Sequence, residues 1–220
     1  MRTPTAGPRW RAPATTSIAT SSTRPPSSTC CPTSAARFIA YAIAEERRAP
    51  LGIDYQVASA VELPFDDETF DAATAFMSLM DIPENDRAMR EAYRVLKPGG
   101  FLQFSITHPC FNTVFTRAVT DADHHKIAAQ VSNYFQNVDG DVAEFLFSAA
   151  PREVRAGMRP FRIPRFARTL SQWINLVLDT GFTIERVGEP YPSDDAVRTQ
   201  PRLERARVVA DFLQIRARKA

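Results

Sequence analysis

The sequence predicts an α/β domain, and three observations carry that expectation. From residue 37 onward, short apolar runs of strand length alternate with stretches of helical periodicity. Proline and glycine punctuate the changes between them. The 220 residues, 44% hydrophobic and 24% charged, suffice for one substantial core without disulfide or metal support.

The elements follow in order. Arg37 to Arg48 places Phe38, Ile39, Ala42 and Ile43 on one helical face and gathers Glu45, Glu46, Arg47 and Arg48 at its end, with Pro50 and Gly52 as the stop. Ile53, Tyr55 and Val57 alternate as a strand over 53–59. After the turn-rich Asp66 to Thr69, the run Phe70 to Leu79 reads as a buried strand and its exit. Pro83 to Leu96 is helical, and Pro98-Gly99-Gly100 ends it, because proline cannot continue a helix and glycine accepts positive φ. Phe101 to Thr107 is a second buried strand. Residues 110–168 read as irregular and aromatic, too long for an ordinary connection, and are expected to be a lid or substrate-recognition insert. A helix over Leu170 to Asp179 closes at Gly181, followed by a strand Phe182 to Val187 and a last strand from about Arg207 to Ile215.

Residues 1–36 differ in kind. They hold eight Thr, six Ser, six Pro and four Arg, with no acid, no Leu, Val or Phe, and Ile18 as the single Ile. Such a segment cannot bury enough apolar area to offset its ordering entropy, so disorder is expected. A transit peptide, a flexible tail and out-of-frame translation all remain open. For the last, reading the codons of Ala19 to Ala36 one base later permits an apolar spacing that suits an amphipathic helix. The domain proper is expected over 37–220.

Charge and cysteines narrow the function classes. With the four Arg of 1–36 set aside, 23 basic and 25 acidic residues remain, so there is no broad basic face for phosphate backbones, and nucleic acid is not the expected partner. No apolar run reaches bilayer-spanning length, so no membrane partner is expected. Cys30, Cys31 and Cys110 match neither a zinc spacing nor a disulfide framework; a reducing, cytoplasmic setting and no metal are expected, with Cys110 read as a small buried residue.

Ala58-Ser-Ala-Val-Glu-Leu-Pro-Phe65, then Phe70-Asp71, then Arg94-Val-Leu-Lys-Pro-Gly-Gly100 leading into a strand, form an ordered set. It resembles the class I S-adenosylmethionine-dependent methyltransferases, in particular those with the methyltransferase type 11 domain. The resemblance runs from about Arg37 to the C-terminus. It implies a Rossmann-like class I methyltransferase sheet of strand order 3-2-1-4-5-7-6, S-adenosyl-L-methionine as cofactor and a small-molecule methyl acceptor; the oligomeric state stays open. In the family, an acidic residue and the next backbone N–H read the adenine edge. Matching places Ser59 and Ala60 there, and Ser59 replaces a charge-assisted hydrogen bond by a neutral one. Ala75 and Phe76 are implied to line the methionine part, with the Phe76 ring facing the sulfonium, although a plain core role for Phe76 is equally open. Leu63, Pro64 and Phe65 are read as packing, and Asp71 as a strand-start hydrogen-bonding residue.

On the acceptor side, His108 lies just past a strand end, where a general base or substrate contact competes with an ordinary satisfied loop histidine. Met80 stands where relatives often have histidine, so no base is assigned there. Tyr134 and Arg165 are the pocket candidates in the insert, and Ala167 stands where a histidine is usual. His124 and His125 read as solvated loop.

The family's glycine-rich loop is missing from this sequence. Its eight glycines form no Gly-x-Gly-x-Gly before Arg37, so the first strand, first helix and second strand are expected to be absent. The strand near Ile53 would then be detached, or paired with the one at Phe70. Two functions follow: a methyltransferase, or a catalytically inactive remnant lacking the cofactor loop. A nicotinamide enzyme would need the same kind of loop and lacks the adenine-side motif.

Overall fold

The computed structural model describes residues 18–20, 43–113, 115–136, 138–145 and 156–220. They fall in two compact units, Met1–Pro64 and Phe65–Ala220. The expectations of disorder or frame change over most of 1–36, of the absent first strands and loop, and of a helix start at Arg37 lie outside the described residues.

In the first unit, strand β1 (Ile18–Thr20) pairs in parallel with β2 (Gln56–Ala58), Ile18 opposite Gln56 and Thr20 opposite Ala58. The strand near Ile53 is shorter than the expected 53–59; it pairs with β1 in a two-stranded sheet of its own and not with the strand at Phe70. Helix α1 (43–48) precedes it. The Glu46 carboxylate accepts hydrogen bonds from the N–H groups of Leu51, Gly52 and Ile53, at 2.6, 2.6 and 3.1 Å. Gly52 takes φ +77°, which allows the chain to fold back onto that carboxylate.

The second unit is built on a four-stranded sheet of order β3-β4-β10-β9. Its strands are β3 (Phe70–Phe76), β4 (Leu96–Thr107), β9 (Phe182–Gly188) and β10 (Phe212–Lys219). β3 runs parallel to β4, whereas β10 is antiparallel to both neighbours. Helix α2 (Asn85–Val95) connects β3 to β4, and α3 (Leu170–Asp179) precedes β9. The Thr169 hydroxyl accepts from the Gln172 N–H while the Gln172 side chain accepts from the Thr169 N–H, a reciprocal cap that fixes the start of α3.

One face of this sheet forms the core. Leu102, Phe104 and Ile106 of β4, and Leu213, Ile215 and Ala217 of β10, are all buried, and they alternate as strand geometry requires. Ala88, Met89 and Val95 of α2 and Trp173 and Val177 of α3 are buried with them. The opposite face is partly open, with the Arg216 guanidinium 3.8 Å from the centre of the Phe101 ring. Lys219 joins the end of β10 to the end of α2: its buried ammonium donates to the Leu96 carbonyl at 2.8 Å and lies 4.8 Å from the Tyr93 ring centre.

Several boundaries differ from expectation. The last strand is Phe212–Lys219 because Pro201–Arg207 forms a 3-10 turn, held by Arg207 donating to the Pro192 carbonyl. The apolar signal of Val208 and Val209 belongs to the approach, and Arg216 and Arg218 conceal the strand's far half. β3 is half-exposed, not buried, because among the described residues it is the end strand of its sheet and pairs with β4 alone. β4 begins at Leu96, and Gly99 at φ +75° lies within a bulge between the β3 and β4 ladders. A Cβ on Gly100 would lie 2.9 Å from the Lys97 carbonyl oxygen and 3.1 Å from that of Asp71, so this position excludes any larger residue.

The segment 110–168 is more regular than its sequence suggests. It contains two antiparallel hairpins, β5 (Thr116–Thr120) with β6 (Lys126–Val131) and β7 (Asp139–Phe145) with β8 (Phe161–Phe166). Phe135 of this segment is 84% exposed.

Candidate functional site

In open α/β sheets, ligands bind beyond the carboxyl ends of parallel strands. β2 ends at Ala58, so Ser59 and Ala60 follow directly past the carboxyl end of a strand whose neighbour is also parallel. A short turn shapes this position: the Ser59 carbonyl accepts from the Glu62 N–H at 3.1 Å.

In the second unit, Ala75 and Phe76 are the last residues of β3, opposite Phe104 and Ser105 of β4. Phe76 is 59% exposed, which removes the core alternative for it. The next residue, Met77, takes φ +51°, sparsely populated for a side-chain-bearing residue, and its N–H is held by the Ser105 carbonyl at 2.9 Å. The chain then enters a 3-10 turn, Leu79–Asp81, in which Leu79 and Met80 are buried. The Met80 sulfur accepts from the Thr107 N–H at 3.3 Å, so its side chain fastens the turn to the end of β4.

His108 is buried, and both ring nitrogens are engaged. Its Nδ1 accepts from the Cys110 N–H at 3.1 Å, which leaves Nε2 to carry the proton and donate to the Glu189 carboxylate at 2.8 Å. Phe111 covers the ring at a centroid distance of 4.7 Å. A base needs a free lone pair; here the lone pair is occupied by a backbone N–H. The geometry therefore corrects the general-base expectation for His108 toward the satisfied-histidine alternative.

Tyr134 meets the same cluster. Its hydroxyl accepts from the Leu170 N–H at 2.8 Å, at the start of α3, and the Cys110 thiol lies 3.9 Å away. Burial pushes the phenol above its ordinary range, with the Leu170 N–H pulling the other way. Arg165, on β8, donates from Nη2 to the Thr107 hydroxyl at 3.2 Å. Met80, Thr107, Pro109, Arg165 and Trp173 line a cavity of about 30 Å³, room for about one water.

The structure thus brings His108, Tyr134 and Arg165 to the carboxyl end of β4, while Ala75 and Phe76 end the neighbouring strand. Ser59 and Ala60 belong to the other unit. Two residues of this edge escaped the sequence reading. Asp81 is indistinguishable in sequence from the solvated acids Glu84 and Asp86 that follow it. Glu189 is 81 residues from the histidine it holds, a pairing no local pattern reveals. Among the described residues no cluster of three His, Cys, Asp or Glu is placed to hold a metal, and no helix is long and apolar enough to cross a membrane.

At β2 a hydroxyl side chain and a backbone strand end are available for a ring edge; at β3 an exposed aromatic ring can face a cation.

Residues 19–104 match the methyltransferase domain family, a stretch that includes Ser59, Ala60, Ala75 and Phe76. The ubiquinone/menaquinone biosynthesis C-methyltransferase of Bartonella tribocorum is 54% identical over 52 residues, 24% of this chain and 20% of that protein. The Bartonella quintana counterpart is 44% identical over 71 residues, 30% of this chain and 27% of that protein. The matched stretches thus span about a fifth to a quarter of those relatives. An S-adenosylmethionine-dependent methyltransferase structure from Mesorhizobium loti superposes with a TM-score of 0.61 at 23% identity, covering 80% of this chain and 75% of that one. A structure from Listeria monocytogenes gives 0.62 at 21%, covering 81% and 75%. These likenesses show the fold.

Proposed function

We propose that this chain, whose fold is that of the class I S-adenosylmethionine-dependent methyltransferases, transfers a methyl group to a small-molecule acceptor. The observation that carries the reading is the sheet itself. Order β3-β4-β10-β9 with β10 antiparallel corresponds to the 4-5-7-6 half of the family's sheet, and the residues matched to the cofactor fall at the carboxyl ends of β2 and β3.

When bound, S-adenosylmethionine supplies an electrophilic methyl group on a sulfonium. The chain's own part is binding and orientation, which account for most of the acceleration in a direct displacement. Ser59 and the Ala60 N–H would hold the adenine edge. The Ala75 backbone and the Phe76 ring would hold the methionine portion, the ring supplying a face for the cation. Arg165, anchored on Thr107, carries the insert to the acceptor side.

The acceptor belongs to the small-molecule class. The names of the Bartonella relatives point to a quinone precursor, but the matched stretch is too short to carry that choice to this chain.

Calorimetric titration with S-adenosylhomocysteine tests the reading, with saturable heat expected. Ser59→Asp restores a charge-assisted bond to the adenine amine, a gain of roughly 1 kcal/mol, and should tighten binding about fivefold. No heat from either protein would return the chain to the inactive-remnant alternative.

A further inference from the structure

Asp81 closes the turn that carries the chain away from β3, at the edge where an acceptor would approach. Its Oδ1 is buried and has no hydrogen-bond partner among the described residues. An unpaired buried acceptor atom costs stability, and native structures keep few of them. Leucine or asparagine would suit a purely structural turn at least as well, so retention of an acid calls for a use.

The surroundings suggest one. The turn packs against β8, whose Arg165 donates to the Thr107 hydroxyl and is near enough for its charge to favour the ionised Asp81 carboxylate. The other ionisable groups nearby are committed elsewhere: His108 to Glu189 and the Cys110 N–H, Arg168 to the buried Asn85 side chain. Glu189 holds His108 from an exposed position, whereas Asp81 keeps a buried oxygen with no partner among the described residues.

We propose that Asp81 is the residue that receives the O–H or N–H proton of the methyl acceptor, with Arg165 as the nearby positive charge; this rests on the methyl-transfer reading above. The electron pair of the broken O–H or N–H bond stays on the acceptor atom, which becomes the nucleophile, and the proton comes to rest on the Asp81 carboxylate. The acceptor class is thus one with a protic oxygen or nitrogen at its methylation site. Burial pushes the Asp81 carboxyl up to about 6, with Arg165 pulling down, which keeps it largely ionised at neutral pH yet basic enough to accept.

Phenol and anisole serve as probes, since the two share a ring and only phenol can donate. The full chain, carbon-13 labelled at its aspartate carboxyls, is titrated with each, the Asp81 signal being identified by its loss in Asp81→Asn. Phenol is expected to bind about tenfold tighter than anisole and to shift the Asp81 signal, and in Asp81→Ala the preference should shrink to within about twofold. Phenol binding should also weaken as pH falls through about 6 in the wild type and stay flat in Asp81→Asn, a near-isosteric variant that guards against misfolding of the alanine form. Equal binding of the two probes, including none of either, or a preference that survives Asp81→Ala, overturns the assignment. S-adenosylhomocysteine affinity, measured on the same samples, reports separately on the methyl-transfer reading.

Discussion

Phe104→Ala is expected to lower the unfolding free energy by about 4 kcal/mol. Phe104 is fully buried at the middle of β4, with Ala75 of β3 opposite on one side and Ile215 of β10 on the other. Its ring lies 6.2 Å from that of Trp173 on α3. Removing it opens a cavity bounded by two neighbouring strands and a capped helix, none of which can close in without breaking its own ladder or cap. Urea denaturation would show a lower midpoint at an unchanged slope. A loss below about 1 kcal/mol would mean that this sheet face is not the core. Because Ala75 is its cross-strand neighbour, any relaxation that softens the cost should also disturb the end of β3.

The second large effect concerns Asp81 and has a definite sign with pH. Burial raises its folded-state pKa to about 6 from an ordinary 3.8. The folded protein therefore holds more protons than the unfolded chain between those values, so this group's contribution makes stability fall as pH rises from about 4 to about 6, and then level off. Asp81→Asn, which cannot ionise, should be more stable than wild type by about 2 kcal/mol at pH 7 after allowance for solvent screening, and nearly equal to it at pH 4. Denaturant melts at the two pH values measure this directly. A variant no more stable at pH 7, or a difference unchanged between the two pH values, would show that the carboxylate is not held under strain. A stabilising variant that loses phenol discrimination would mark Asp81 as a residue kept at a cost in stability.

How far the sequence disclosed this molecule depended on the range of the interactions involved. α3 is legible almost to the residue, because Thr169 and Gln172 form a local cap and Gly181 a local stop. α2 and the core face of β4 follow from periodicity. The far half of β10 is obscured because Arg216 and Arg218 alternate with buried Ile215 and Ala217, and only the paired strands on both sides reveal the pattern. The hairpins of the insert were missed because their cross-strand partners, Asp139 with Phe166 for example, are distant in sequence and no two-residue turn joins them.

The site divides along the same line. Ser59 and Ala60 could be singled out because they lie in the first piece of an ordered motif, and Ala75 and Phe76 because they follow its second piece at a strand end. His108 could be named but its role could not, since the Glu189 carboxylate that fixes its Nε2 comes from 81 residues away. Asp81 could not be singled out at all: what sets it apart is burial of one oxygen and the approach of Arg165 from a distant hairpin.

Amide hydrogen exchange with and without saturating S-adenosylhomocysteine tests the central claim most directly, because it reads the cofactor edge segment by segment. Added protection is expected over 58–62 and over 75–80, the stretches that follow β2 and end β3, with the β5–β6 hairpin unchanged. Protection elsewhere with neither stretch affected, or none at all, would contradict the placement of a methyl-donor site at these strand ends.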